Sequence, residues 1–449
     1  MLNKKILLLF TVFLLISNCS FDSKTGIWGD QKKERERISD IEKNQKGIIK
    51  TEKIYSSNEQ FNQQVTLNKN IILSKPKKNS LWKMSNFNYQ NYMGNLYLQG
   101  SDNVLLKKKV GKDKFSLHGE ISQLLVFNNT IIFSDDRGTI YKINESGRVI
   151  WKKNIYKKAY KRIYKNLVFS IYKNNIYVAD NIGLVYSIDL SDGKLIWIKN
   201  HEVPIKSSIK VFDDKIFLID QDNKIFSLNS NDGSLMWNIL SISSFIKSGK
   251  LLSLALTKDG FLLAITSSAD LYKVKAKSGE IFWSRNTGDT LYAYETDFFD
   301  SSQMVVSDND VIFSSGSNTF SLNLENGDTV WKNKVSSVST PIVSGKNIFI
   351  VTNNGYFVIL EKKTGKIISS QNILKILKRK KQNTKISNFI MGSKKIYITT
   401  LNGFLIEASA TTGKAESFKK IGGSTISPLV ISNGKLYILT NESKILVLN

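Results

Sequence analysis

Few side chains in this 449-residue chain could do chemistry: one cysteine, Cys19, two histidines, His118 and His201, and 38 carboxylates. A transition-metal site needs three or four Cys, His or carboxylate ligands converging on one point. Neither histidine has a cysteine or an acidic cluster at ligand spacing, so no metal site is expected. Asp220-Gln-Asp222 and Asp308-Asn-Asp310 begin like calcium loops. Neither continues with Gly at the sixth place and Glu at the twelfth, and both read as turns. No Gly-x-Ser-x-Gly elbow presents a serine nucleophile and no glycine-rich loop cradles a phosphate. A lone thiol excludes an intrachain disulfide. Catalytic residues are therefore not expected and no cofactor is called for. Cys19 keeps a chemistry of its own, acylation of the thiol, whose meaning depends on its surroundings.

The elements that position these residues repeat. Gly193-Lys-Leu-Ile-Trp197 shares its spacing with Gly147-Arg-Val-Ile-Trp151, Gly233-Ser-Leu-Met-Trp237, Gly279-Glu-Ile-Phe-Trp283 and Gly327-Asp-Thr-Val-Trp331. Gly365-Lys-Ile-Ile-Ser369 and Gly413-Lys-Ala-Glu-Ser417 keep the glycine and lose the tryptophan. The seven glycines lie 46, 40, 46, 48, 38 and 48 residues apart, the period of a propeller or an array of strand-rich units. Each glycine follows an apolar strand, a polar turn and an alternating strand, as in residues 176–188. The β-branched and aromatic content suits strands, and Asn, Asp and Gly suit the turns. A further apolar run precedes each unit, which makes four antiparallel strands, one propeller blade. Paired strands begin near Thr130, Asn175, Lys215, Phe261, Asp310, Asn347, Lys395 and Lys435, so the fold class is all-β, an eight-bladed propeller. The last unit lacks an outer strand, and the alternating residues 104–110 are expected to supply it. The tryptophans read as packing between neighbouring blades.

The N-terminal residues set the compartment. Lys4 and Lys5 precede an apolar run over residues 6–16, too short to span a membrane as a mature helix. It reads as a signal peptide over residues 1–18. Ile16-Ser17-Asn18-Cys19 resembles a bacterial lipobox, with Asn18 where a small residue is usual. Cys19 is accordingly expected to carry the lipid, and Ser20 points to outer-membrane sorting. Residues 19–78 read as a lipidated charged tether, rich in runs such as Gln31-Lys-Lys-Glu-Arg-Glu-Arg-Ile38 that cannot bury a core, and residues 79–449 as the propeller. The net charge is +26. Its lysines are scattered over every blade with no nucleic-acid-binding motif beside them, so solvated faces and attraction to anionic headgroups account for the charge, and nucleic acid is not an expected partner.

The unit Gly-x-x-Tyr/Phe-x-Ile/Leu followed by Gly-x-x-x-Trp resembles the repeat of pyrroloquinoline-quinone-type propellers. Two families share it, the quinoprotein dehydrogenases and the outer-membrane assembly lipoproteins of the BamB family. The lipoprotein-like start, the single ring, Arg37-Ile-Ser39, Trp82 ahead of Met93-Gly94-Asn95-Leu96, and the basic insertion at residues 378–381 resemble the alphaproteobacterial form of the second. That resemblance implies a scaffold without catalytic residues. It would be anchored in the inner leaflet of the outer membrane on its periplasmic face. There it would bind a POTRA domain of BamA alongside other barrel-assembly components and assist insertion of β-barrel proteins. The alternatives are a quinone-dependent dehydrogenase and a periplasmic propeller adaptor of another kind. The dehydrogenases are typically larger and carry Glu, Asn and Asp calcium ligands, a set not recognisable here.

The resemblance also implies a partner site on two neighbouring interblade connections. One carries a Leu-x-Leu-Arg run in the family, the next an Asp-x-Asp pair. By position after the repeat tryptophans, the first corresponds to Ser244-Phe245-Ile246-Lys247 and the second to Asp297-Phe298-Phe299-Asp300. Ile246 and Lys247 stand for Leu and Arg, Asp300 fits the second acidic place, Phe298 occupies the first, and Asp297 offers its charge one residue earlier. Phe245, Phe298 and Phe299 would be the buried anchors.

Overall fold

The structure is a computed structural model that describes Glu36 and residues 61–67, 69–113, 115, 123–241, 247–288, 301–381, 384–424 and 427–449. The chain divides into two compact units, residues 1–59 and 60–449, and the sheets described here belong to the second.

Eight four-stranded antiparallel sheets follow one another, as the repeat count requires. Seven are built from consecutive strands: blade 1 from residues 125–153, blade 2 from 167–200, blade 3 from 210–240, blade 4 from 254–286, blade 5 from 305–333, blade 6 from 342–372 and blade 7 from 386–420. The second strands start at Thr130, Asn175, Lys215, Phe261, Asp310, Asn347, Lys395 and Lys435, as the sequence predicts. Blade 8 joins Val430–Ser432, Lys435–Leu439 and Lys444–Leu448 to the strand Val104–Lys109, which pairs antiparallel with Lys444–Leu448. The expected closing strand is thus the observed one. It removes the sheet edge that the C-terminal blade would otherwise expose.

Burial orders the strands within a blade. The first strand of blade 4, Leu254–Leu256, is wholly buried, whereas most of the fourth strand of blade 2, Leu195–Asn200, is exposed. First strands therefore face inward and fourth strands outward. Antiparallel order also fixes the rims. The turns between second and third strands share one rim with the connections from blade to blade. Hydrogen bonds join these two sets, as from His201 N–H to the Gly183 carbonyl at 2.8 Å and from Ile373 N–H to the Gly355 carbonyl at 2.9 Å. This is the connection rim. Asp220 lies in one of its turns, where its carboxylate accepts the Asp222 and Lys224 amides at 2.9 and 3.0 Å. Asp308, at φ 55°, lies in a turn of the other rim, beside Lys362 at 2.5 Å. Both acidic fragments are turns.

The Gly-x-x-x-Trp motif is one contact repeated. Each glycine has φ near +70°, opened by the lack of a side chain, with values from 67° at Gly365 to 76° at Gly279. A Cβ on Gly193 would lie 2.8 Å from Cε3 of Trp151, the tryptophan of the preceding blade, and Gly233, Gly279, Gly327 and Gly365 meet Trp197, Trp237, Trp283 and Trp331 in the same way. Each indole N–H then donates to the glycine's own turn, to the carbonyls of Leu190, Ser230, Ala276, Leu324 and Lys362 at 3.2, 3.0, 3.1, 3.2 and 2.8 Å. Between glycine and tryptophan the ladder slips by one residue, as between Ser187 and Ile188, which pair with Trp197 and Leu195 and leave Ile196 as the extra residue of a bulge. The bulge turns the tryptophan toward the next blade. Packing between blades is what the sequence predicts for these residues.

Trp331→Phe keeps most of the packed area and loses only the N–H donated to Lys362; it is expected to cost about 1 kcal/mol. Trp331→Ala is expected to cost about 3–5 kcal/mol. Chemical denaturation of the two variants against the parent measures both.

Candidate functional site

Two places in the ring could carry function: the connection rim, which a partner can reach, and the axis, where a ring of sheets has its central channel.

On the rim, the blade 3 to blade 4 connection occupies residues 241–253 and the blade 4 to blade 5 connection residues 287–304. They flank a single blade, so their ends are neighbours. Of the predicted partner residues, Lys247 is described: it is half-buried, and its ammonium pairs with Asp222 on the adjacent turn of blade 3 at 3.1 Å. Phe245, Ile246, Asp297, Phe298, Phe299 and Asp300 lie outside the described residues, as do Cys19 and His118. His201 stacks on Phe226, with centroids 4.3 Å apart, and its Nε2 meets Asp220 at 2.8 Å. These contacts join the rim of blade 2 to that of blade 3. Among the described residues no group of three His, Cys, Asp or Glu side chains could hold a metal ion.

The axis holds what sequence reasoning missed. Residues 72–98 run past the first strands of all eight blades and bond to them. Trp82 exchanges backbone hydrogen bonds with Val126 of blade 1 at 2.7 and 3.1 Å, and Ile171 of blade 2 donates to the Lys83 carbonyl at 2.7 Å. The Tyr89 carbonyl takes the Leu256 amide of blade 4 at 2.8 Å, and the Gln90 carbonyl takes the Val306 amide of blade 5 at 3.0 Å. Ser74 meets Ser344 of blade 6 at 2.8 Å, Leu96 bridges Gly392 of blade 7, and Leu98 bridges Gly434 of blade 8. Asn91, fully buried, donates its amide to the carbonyls of Leu254 and Met304 at 2.9 and 2.8 Å, tying blades 4 and 5 together. Inner strand edges that would otherwise carry unsatisfied N–H and C=O groups are thereby paired over part of their length.

Blade 3 is joined through Lys210, which is fully buried. Its ammonium donates to Asn91 Oδ1 at 2.6 Å, to the Asn88 carbonyl at 2.8 Å and to the Ser85 carbonyl at 3.1 Å. Three N–H groups meet three neutral oxygens, so the hydrogen-bonding capacity is met but the charge is not balanced. Burial pushes the Lys210 ammonium down from 10.5 to about 7. The signal available in the sequence was a lysine inside the apolar run Ile209-Lys-Val211 and asparagines clustered at residues 86–95.

A calcium-bound quinone would need open space with convergent acidic and amide ligands. The axial chain lies along the inner edges of the blades, and the polar side chains Asn91 and Lys210 are committed to holding it. These residues do not fit that group.

The Lys210 geometry gives a pH signature. Between about pH 7 and 10.5 the folded chain has released this proton and the unfolded chain still holds it. The unfolded state binds more protons there, so stability rises with pH, by up to about 1.4 kcal/mol per unit. Below pH 7 both states are protonated and the cost of burying the charge is present in full. Denaturation midpoints measured from pH 6 to 9 should rise for the parent relative to Lys210→Met, whose profile lacks this contribution. Parallel profiles would refute the assignment.

A comparison of the sequence with curated proteins gives no match. Among solved structures the chain is similar to BamB from Moraxella catarrhalis, at 14% identity and a TM-score of 0.62 over 76% of this chain and 99% of that one. It is similar to a europium-containing methanol dehydrogenase, at 11% identity and 0.64 over 81% and 89%. It is also similar to the computationally designed Ika8 protein, at 11% and 0.58 over 76% and 99%. At such identities the likeness is one of fold alone. The sequence itself matches the family model described as outer membrane protein assembly factor BamB over residues 136–371, more than half of its length. By that match the chain belongs to the BamB family.

Proposed function

We propose that the chain is a non-catalytic scaffold lipoprotein of the outer-membrane β-barrel assembly machinery. It binds a POTRA domain of BamA and assists the insertion of β-barrel proteins. The observation that carries this reading is the axis: the concave space where a ring could hold a small substrate is lined by the chain's own residues 72–98, hydrogen-bonded to the inner strands of the blades. What remains for function is the rim, and a rigid ring whose loops form a broad face suits the gripping of another protein. Family membership supports the same reading.

In this proposal residues 1–18 direct export, the acyl chains on Cys19 anchor the chain in the inner leaflet of the outer membrane, and residues 19–78 act as the tether up to where they join the ring. The tether's described end is fastened to blade 6: Val65 bridges Ser370, and Lys69 pairs with Glu361 at 3.2 Å. The partner patch is formed by Phe245, Ile246 and Lys247 on one connection and Asp297, Phe298, Phe299 and Asp300 on the next. Lys247 is a point charge without the fork of an arginine, and the phenylalanines supply the anchoring area.

The test is co-purification from mild detergent with a C-terminal tag. The parent should bring down the barrel-inserting partner, and Lys247→Glu combined with Asp300→Lys should lose it while thermal unfolding stays nearly unchanged. Wild-type yield from the double variant would move the patch elsewhere. Cys19→Ala should abolish incorporation of labelled fatty acid. For the rival reading, the chain is incubated with pyrroloquinoline quinone and calcium and watched for dye reduction; sustained turnover would overturn the scaffold proposal.

A further inference from the structure

The connection from blade 1 to blade 2 lies on the connection rim, three blade junctions from the one between blades 6 and 7. Residues 152–165 hold seven lysines and arginines and no carboxylate. The connection is fixed from beneath. Tyr156 is buried, and its hydroxyl donates to Asp180 Oδ2 at 2.6 Å. Lys165 is buried too; its ammonium donates to the Tyr160 carbonyl and to the Ile163 carbonyl, the latter at 2.7 Å, and lies 5.0 Å from the Tyr156 ring centroid. One cation of the run is thus turned inward to close the 3₁₀ turn Lys158–Arg162. The outward cations Lys157, Lys158 and Arg162 are exposed, with no carboxylate partner among the described residues. Between them project Tyr160 and Ile163, 36% and 45% exposed.

The surrounding sector is basic as well. Lys107 is exposed on the outer strand of blade 8, and Lys378 on the blade 6 to blade 7 connection. Of the carboxylates nearby, Asp113 is held by Lys109 at 2.5 Å and Glu442 by Lys444 at 3.2 Å. In a ring of eight this sector centres on blade 8, opposite blade 4, whose two flanking connections form the proposed partner patch.

We propose that the connection bearing Lys157, Lys158, Tyr160, Arg162 and Ile163 is a membrane-surface contact that takes anionic phospholipid headgroups. The chemistry argues for lipid over other polyanions. Nucleic acid lies in a basic groove with aromatic planes along it, and this is a short 3₁₀ turn with one exposed ring and one exposed aliphatic side chain. An acidic protein would be matched by the charges and leave Ile163 without a role. At a lipid interface each part has one: cations at phosphate depth, the Tyr160 ring at the headgroup boundary, the Ile163 methyls below it. The contact depends neither on the scaffold reading nor on an acyl group at Cys19.

The test uses the full chain carrying Cys19→Ser, which has no acylation site. It should float with phosphatidylglycerol-containing vesicles and not with phosphatidylcholine alone, and binding should fall as salt rises. Lys157→Glu, Lys158→Glu and Arg162→Glu together should lower partitioning by about a hundredfold or more, and Tyr160→Ser with Ile163→Ser by about tenfold, both at the parent's unfolding temperature. A control with the same charge change on the opposite rim, Lys277→Glu, Lys363→Glu and Lys414→Glu, should bind within about twofold of the parent. The proposal is overturned if the parent does not distinguish the two vesicles, if the loop variant binds like the parent, if the control loses as much as the loop variant, or if an oligoribonucleotide binds the parent more tightly than the anionic vesicles do.

Discussion

The ring depends on the contact between a tryptophan of one blade and the glycine turn of the next. It joins a steric requirement, a turn without a Cβ, to a directed hydrogen bond, so it fixes both the distance and the rotation between neighbouring blades. Five of the eight junctions have it. The other three are where the chain before blade 1 intervenes. At the junction of blades 6 and 7, Ser369 replaces the tryptophan, and the Val65 carbonyl takes the Gln371 amide at 3.2 Å. At blades 7 and 8, the turn that a continuous chain would make is broken: Asn103 pairs with Asn449 through two backbone bonds of 2.9 and 3.1 Å, and Ser101 reaches Glu407. At blades 8 and 1, Leu106 and Lys108 of the closing strand stand over Gly147. Loss of the motif and arrival of the N-terminal segment coincide three times.

The axial segment answers a different need. First strands bring polar inner edges toward a common axis, and water reaches such a place poorly, so unpaired groups there are costly. Regular strands could not pair with eight edges that change direction at every blade. An irregular, asparagine-rich chain can, because Asn carries its own donors and acceptor and tolerates positive φ, as Asn86 and Asn91 do at 59° and 54°. Lys210 extends the same logic from the ring side, since its long stem reaches three oxygens of the segment at once. The price is an ammonium whose charge, below about pH 7, is buried without a counter-ion.

This difference explains what the sequence could and could not reveal. Strand starts, blade number and the closing strand were legible because they follow from period-two alternation, turn residues and an unpaired edge, all local or countable. Residues 72–98 have no periodicity to read, and their order comes from contacts with strands far along the chain, 44 residues away from Trp82 to Val126 and 352 from Asn79 to Ile431. The partner residues on the rim rest on position after Trp237 and Trp283, which anchors where each connection starts but not how its side chains are arranged. Lys247 alone gains a described partner, Asp222.

The bulge before each tryptophan also bears on which surfaces should be given functional weight. By inserting one residue, it breaks strict alternation and leaves two adjacent apolar residues on the outer strand facing solvent: Leu195 with Ile196, Leu235 with Met236, and Ile281 with Phe282. These exposed side chains follow from the motif that locks the blades, recurring also as Val149 with Ile150 and, where Thr329 takes the first place, as Val330 alone, so their exposure is accounted for by the fold. The tip at Lys157–Ile163 is not part of the repeat: among the described residues a 3₁₀ segment stands at one other junction, Ile373–Lys381 between blades 6 and 7, and the tip is stiffened by a buried lysine that contributes nothing to the blade ladder. A feature that the repeat does not require, and that the chain has nonetheless ordered, is where selection for a contact leaves its mark.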